Sequence, residues 1–176
     1  MSLICQTTNF LVEAPEQPLV TRTDGGHITI TPKKRLTDRT QLTPQLAIEL
    51  MFLTMLIGEA MTEGLQLRGI DIGRVNYQDN GNWGVFKPEG PHLHYHLYGR
   101  AKNAVFHRYG EACQFPFRET GFYDSFESLN TEDIEEIQKQ IQFLLKQEKY
   151  QSRHWSEMRL QIRSEEHTSE LQSQNR

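Results

Sequence analysis

The stretch Pro91-His92-Leu93-His94-Tyr95-His96-Leu97-Tyr98-Gly99 constrains this chain more than any other. Its residues alternate strictly between imidazole or phenol and apolar side chains, which is the two-residue period of a strand. Successive strand side chains point to opposite faces, so His92, His94 and His96 project together at a spacing of roughly 7 Å. Leu93, Tyr95 and Leu97 pack behind them. Three aligned imidazoles fit two chemistries. A neutral imidazole can attack phosphorus while its neighbours hold phosphate oxygens or assist the leaving group. Alternatively, three imidazoles can ligate zinc, with water in the open fourth position. Consecutive same-face positions of one strand converge poorly on a single ion, which favours phosphate chemistry.

Other elements follow from pattern. Asn9–Val12 reads as a short strand closed by Pro15 and Pro18. After the Asp24-Gly25-Gly26 turn, His27-Ile28-Thr29-Ile30-Thr31 alternates as a strand ending at Pro32, with His27, Thr29 and Thr31 on one face. Thr43-Pro44 starts a helix, by hydroxyl cap and N1 proline, that should run to Arg68 and stop at Gly69. Phe52 and Leu56 interrupt its polar stripe of Gln45, Glu49, Glu59, Glu63 and Gln66, so a loop or a second subunit is expected to cover them. Ile70–Tyr77 reads as a strand and Asp79-Asn80-Gly81-Asn82 as a turn. Residues 101–129, with scattered aromatics, are expected as a lid or edge. Asn130 or Thr131 caps a last helix whose buried stripe is Ile134, Ile137, Ile141, Leu144 and Leu145.

Composition sets further limits. A chain of 176 residues that is 36% hydrophobic suffices for one domain with one core. A formal charge of −4 without a basic stripe argues against long nucleic acids as partners. Cys5 and Cys113 make no CxxC and read as reduced thiols. No signal-peptide pattern opens the chain, and the longest apolar run, Leu50–Ile57, is too short to span a bilayer. A cytoplasmic location without membrane contact is expected.

His92-Leu-His-Tyr-His-Leu-Tyr98 resembles the signature of the histidine-triad family, and His27-Ile-Thr-Ile-Thr-Pro-Lys-Lys34 resembles that family's second signature, a histidine-led strand ending in Pro-Lys. The resemblance spans Asn9 to Gly99. It implies an α+β fold with an antiparallel sheet, to which the long central helix and the C-terminal helix belong. It also implies a homodimer, and hydrolysis or nucleotidyl transfer at the α-phosphate of dinucleoside polyphosphates or nucleoside phosphoramidates. His94 would be the nucleophile, forming a covalent nucleotidyl-histidine. His96 would hold phosphate oxygen or assist the leaving group, and His92 and His27 would orient the nucleophile. Asn76 or Gln78 would contact phosphate, and Glu13 the ribose hydroxyls. The approach to the triad departs from the family pattern, with Lys87-Pro-Glu-Gly-Pro91 where a small hydroxyl or amide residue is usual; Lys87 would replace that contact by charge. Arg100 would reach a distal phosphate or pair on the surface. No resident metal or cofactor is implied, and the nucleotide can carry its own Mg²⁺. A non-catalytic nucleotide-binding module and a three-histidine metal hydrolase are the alternatives.

Residues 1–151 are expected to form the domain, followed by an extension over 152–162. Arg163–Ser173, RSEEHTSELQS, matches a translated sequencing adapter, so residues 163–176, His167 included, are expected to be non-native and to carry no function. A chain ending near Gln151 is then expected to fold.

Overall fold

The computed structural model describes residues 1–79, 82–151 and 155. Five strands form one antiparallel sheet: β1 (Ser2–Gln6), β2 (Phe10–Ala14), β3 (His27–Pro32), β4 (Ile72–Gln78) and β5 (Tyr95–Ala101), in the order β1-β2-β3-β5-β4. Helix α1 (Pro44–Leu67) connects β3 to β4, and α2 (Thr131–Leu144) follows the sheet. The class is α+β, as expected. The Asp79–Asn82 turn and the tail after Gln151 lie largely outside the described residues.

Alternation in the strands decides which face meets the helices. Val12, Ile28, Ile30 and Leu97 join Leu53, Ile57 and Met61 of α1 and Ile137 and Ile141 of α2 in the main core. Burying each such side chain contributes about 1.5–3 kcal/mol. The register places Thr29 opposite His96 and His27 opposite Tyr98, so these four share the other face. That pairing requires β5 and the turn before β3 to touch: a Cβ on Gly99 would lie 2.1 Å from the Gly25 carbonyl oxygen.

The helices begin as their caps dictate. Thr43 accepts the Leu46 N–H at α1, and Asn130 and Asp133 form a reciprocal capping box at α2. Asp133, with its side chain buried, also takes a bidentate pair from Arg22, and Arg68 at the end of α1 reaches it at 3.3 Å. One carboxylate thus ties the start of α2 to the end of α1 and to the turn before β3.

Three expectations change. Leu56 does not face outward; it is 3% exposed and belongs to the core. Phe52 is covered by this same chain, packed edge-on against Tyr150 at 5.6 Å and Trp155 at 5.2 Å. The subunit contact inferred from these two residues therefore loses its basis. Helix α1 is long and apolar enough to cross a membrane by length and composition, and it buries Leu50, Leu53, Leu56, Ile57, Met61 and Leu65 in the core while Met51 and Leu67 are exposed. Leu145 is not in the buried stripe of α2 but caps its end, 37% exposed. The third change concerns the triad strand. Its ladder begins at Tyr95, not His92, and continues to Ala101. Beyond Ile30↔Tyr95 on one side and Gln78↔His96 on the other, neither neighbour offers a further partner. β1, which the pattern analysis omitted, pairs with β2 at the sheet edge.

Residues 102–129 form a cover built on the non-helical face. The buried Asp24 carboxylate accepts the N–H groups of Val105, Phe106 and His107, each at 2.8 Å. Arg100 donates to the carbonyls of His107, Arg108 and Glu111. Phe115 lies against Tyr98, with ring centroids 4.8 Å apart, and Phe115, Phe122 and Phe126 surround His107. This cover seals the Tyr98–Arg100 half of β5 and leaves the His96 end open.

Candidate functional site

Two histidines sit within the sheet ladder, His27 at the start of β3 and His96 in β5. The Leu19 N–H donates to His27 Nδ1 at 3.1 Å, and His27 Nε2 lies 2.8 Å from His96 Nδ1. Burial, then the neighbouring His96, pushes the His27 pKa well below its ordinary value. Burial, followed by His94 and His92, pushes that of His96 down to about 3. Both rings are therefore neutral near pH 7, and a neutral imidazole has one N–H. Because His27 Nδ1 accepts, its proton is on Nε2 and is donated to His96 Nδ1. The His96 proton must then be on Nε2. The chain of bonds from a backbone amide thus makes His96 a neutral donor.

The other two histidines stand before the ladder begins. His94 Nδ1 lies 2.9 Å from the His92 carbonyl oxygen. A carbonyl only accepts, so Nδ1 carries the proton and, in the neutral ring, Nε2 carries the lone pair. The His94 ring meets His96 edge-on at 4.5 Å and stacks on His92 at 4.6 Å. Burial, then His94, lowers the His92 pKa. His94 and His96 are therefore opposite tautomers side by side, one presenting a lone pair and the other a proton.

These rings line an open cleft of about 650 Å³, within the size range of small-molecule sites. Among the residues singled out by sequence, His27, His92, His94, His96, Gln78 and Lys87 line it. Asn76 shares the face of Gln78 but does not reach the cleft wall; its amide points to the Cys113 sulfur at 3.9 Å. Glu13 does not line the cleft, although it pairs across from Thr29, which does, and its carbonyl accepts the Thr29 hydroxyl. Arg100 neither reaches a phosphate position nor lies on the surface. It is 4% exposed and serves the cover, because its place in the sealed half of β5 surrounds it with loop carbonyls.

The sequence reading missed Leu19, Trp83, Phe115 and Arg118, which complete the walls. They come from three separate loops, and no local period marks such residues. The cations of the cleft are Lys87, Arg118 and the terminal ammonium, the last paired with Glu16 at 2.8 Å.

No protein-family model matches the chain, and no curated protein matches it. Solved structures do. A hypothetical histidine triad nucleotide-binding protein from Sulfolobus tokodaii strain7 aligns with a TM-score of 0.53 at 14% identity, over 81% of this chain and 85% of that one. A Zn-bound histidine triad family protein from Mycobacterium smegmatis gives 0.51 at 22% identity, over 81% and 84%. A histidine triad protein from Bradyrhizobium japonicum gives 0.51 at 13%, over 80% and 87%. With the four imidazoles placed as above, the architecture is the histidine-triad fold. Identities this low carry the fold alone; the chemistry rests on the site.

Proposed function

We propose that this protein is a nucleotidyl hydrolase or transferase acting at the α-phosphate of dinucleoside polyphosphates or nucleoside phosphoramidates. The observation that carries the reading is the pairing of opposite tautomers at His94 and His96. His94 Nε2 attacks phosphorus, forming the N–P bond as the bond to the leaving oxygen or nitrogen breaks and the leaving group departs with the electron pair. His96 Nε2–H donates to a phosphoryl oxygen or to the leaving atom, where negative charge develops. Water then attacks the same phosphorus, the N–P bond breaks, the water gives up a proton to solvent, and His94 is restored. Lys87 and Gln78, which line the cleft, hold phosphate oxygens in this reading.

The reading includes no resident cofactor, a substrate that brings its own Mg²⁺, a homodimer and a cytoplasmic location. The three-histidine metal site gains no support from the ligand geometry: among the described residues no group of three His, Cys, Asp or Glu side chains is placed to hold one ion.

Rapid quenching into alkali during turnover tests the mechanism, with dinucleoside polyphosphate, adenosine phosphoramidate and nucleotidyl sugar compared as substrates. The expected result is a base-stable, acid-labile nucleotide adduct on wild-type protein that His94→Ala lacks. Nucleotide binding without adduct or turnover on any of the three would leave a binding module instead.

A further inference from the structure

The nucleophile's carrier segment needs an anchor, because Pro91–His94 has no partner strand among the described residues. Two neighbouring residues of the β3–α1 connection supply it. The Leu36 carbonyl accepts the Leu93 N–H at 2.7 Å, with both side chains buried. Arg35 directs Nη2 at three successive carbonyls, those of Glu89, Gly90 at 3.1 Å and Pro91 at 3.4 Å. Three carbonyl oxygens aimed at one point repel one another unless a cation lies between them, and a guanidinium supplies that charge together with N–H donors. The two anchors thus hold the backbone on either side of His92, whose carbonyl fixes the His94 tautomer.

We propose that Arg35 is a positioning residue for His94. It keeps the Glu89–Pro91 backbone in the turn that sets the His92 carbonyl against His94 Nδ1, and so keeps the Nε2 lone pair aimed into the cleft. The effect is selective. His96 is held by ladder pairing to Thr29 and Gln78 and by His27, none of which Arg35 touches. This inference rests on the proposed role of His94 as nucleophile, but its structural half can be read without any substrate.

Nitrogen-15 correlation spectra of the histidine rings in the free, full-length protein separate the two tautomers, and His→Ala variants assign the signals. Wild type is expected to show His94 protonated at Nδ1 and His96 at Nε2. In Arg35→Gln, which removes the charge, the His94 pattern should move toward exchange between tautomers while His27 and His96 stay fixed. With the best substrate of the panel, kcat should fall by about ten- to a hundredfold, the scale of a misaligned reacting group, with KM nearly unchanged. Arg35→Lys, which keeps a cation at the three carbonyls, should recover most of both signals.

An unchanged His94 pattern in Arg35→Gln overturns the proposal, whether or not kcat falls, since any loss would then arise by another route. If the His94 pattern changes but no substrate is turned over by wild type, the positioning role stands and the nucleotidyl reading fails. Wild-type turnover that Arg35→Gln retains together with its His94 pattern sinks the positioning role alone.

Discussion

The two halves of the site are held by different means. His27 and His96 sit in a paired ladder, buried, with both nitrogens of His27 and Nδ1 of His96 each committed to one partner. His92 and His94 sit on an extended segment with no ladder, more exposed, held by a loop arginine and one backbone bond. The difference matches the two tasks. A hydrogen-bond donor to developing charge works best when fixed before the reaction, since its reorganisation would otherwise add to the barrier. A nucleophile must close from contact distance to bonding distance, which a segment free of the ladder permits.

The largest effect should come from the half outside the ladder. His94→Ala is expected to abolish turnover while nucleotide affinity changes little, because the loss falls on the transition state. Activity above about a tenth of wild type, a barrier change under about 1.4 kcal/mol, would show that His94 is not the nucleophile. His96→Ala should cost less, about 10²–10³-fold in kcat, the scale of one lost oxyanion donor.

His27→Ala sharpens the comparison within the fixed half. Removing the ring deprives His96 Nδ1 of its donor and admits solvent, so the pKa of His96 should climb from about 3 toward its ordinary value. The acid limb of the pH–rate profile should move upward with it; an unmoved limb would show that His27 does not set the state of His96.

Stability should follow the same two rings. Both have depressed pKa values in the folded protein. In the unfolded chain they protonate below about pH 6.5, so the unfolded state binds more protons and stability falls as pH drops from about 6.5 toward 3. Each unit of depression corresponds to about 1.4 kcal/mol. Calorimetry across that range should show a steady loss of Tm that is weaker in His96→Gln, and a flat profile would refute the buried neutral pair.

The smallest effect concerns the end of the chain. Trp155 covers Phe52, so Trp155→Ala, or a chain ending at Gln151, should fold and keep its kcat but melt a few degrees lower. A loss of folding would show that residues beyond Gln151 belong to the core.

Much of the arrangement was legible from local pattern. The two-residue period of His27–Thr31 and of the triad stretch fixed which side chains share a face, and caps at Thr43 and Asn130 marked both helices. Those features depend on near neighbours in the chain. Arg100 was misread because a cation after a histidine run has no periodic signature; what surrounds it, a loop from 107 to 111 folded over β5, is set by the aromatic cover and Asp24. Leu56 was misread because the polar stripe of α1 says nothing of what packs over it.

The sequence by itself determined the chemistry available: three imidazoles in register, a fourth at the head of a second strand, and a sheet that must present them away from its apolar face. Only the tertiary structure decided what each imidazole is. A ring's tautomer depends on whether the group facing it donates or accepts. Those groups, the Leu19 amide for His27 and the His92 carbonyl for His94, are backbone atoms that every residue carries, so the fold alone places them against the rings.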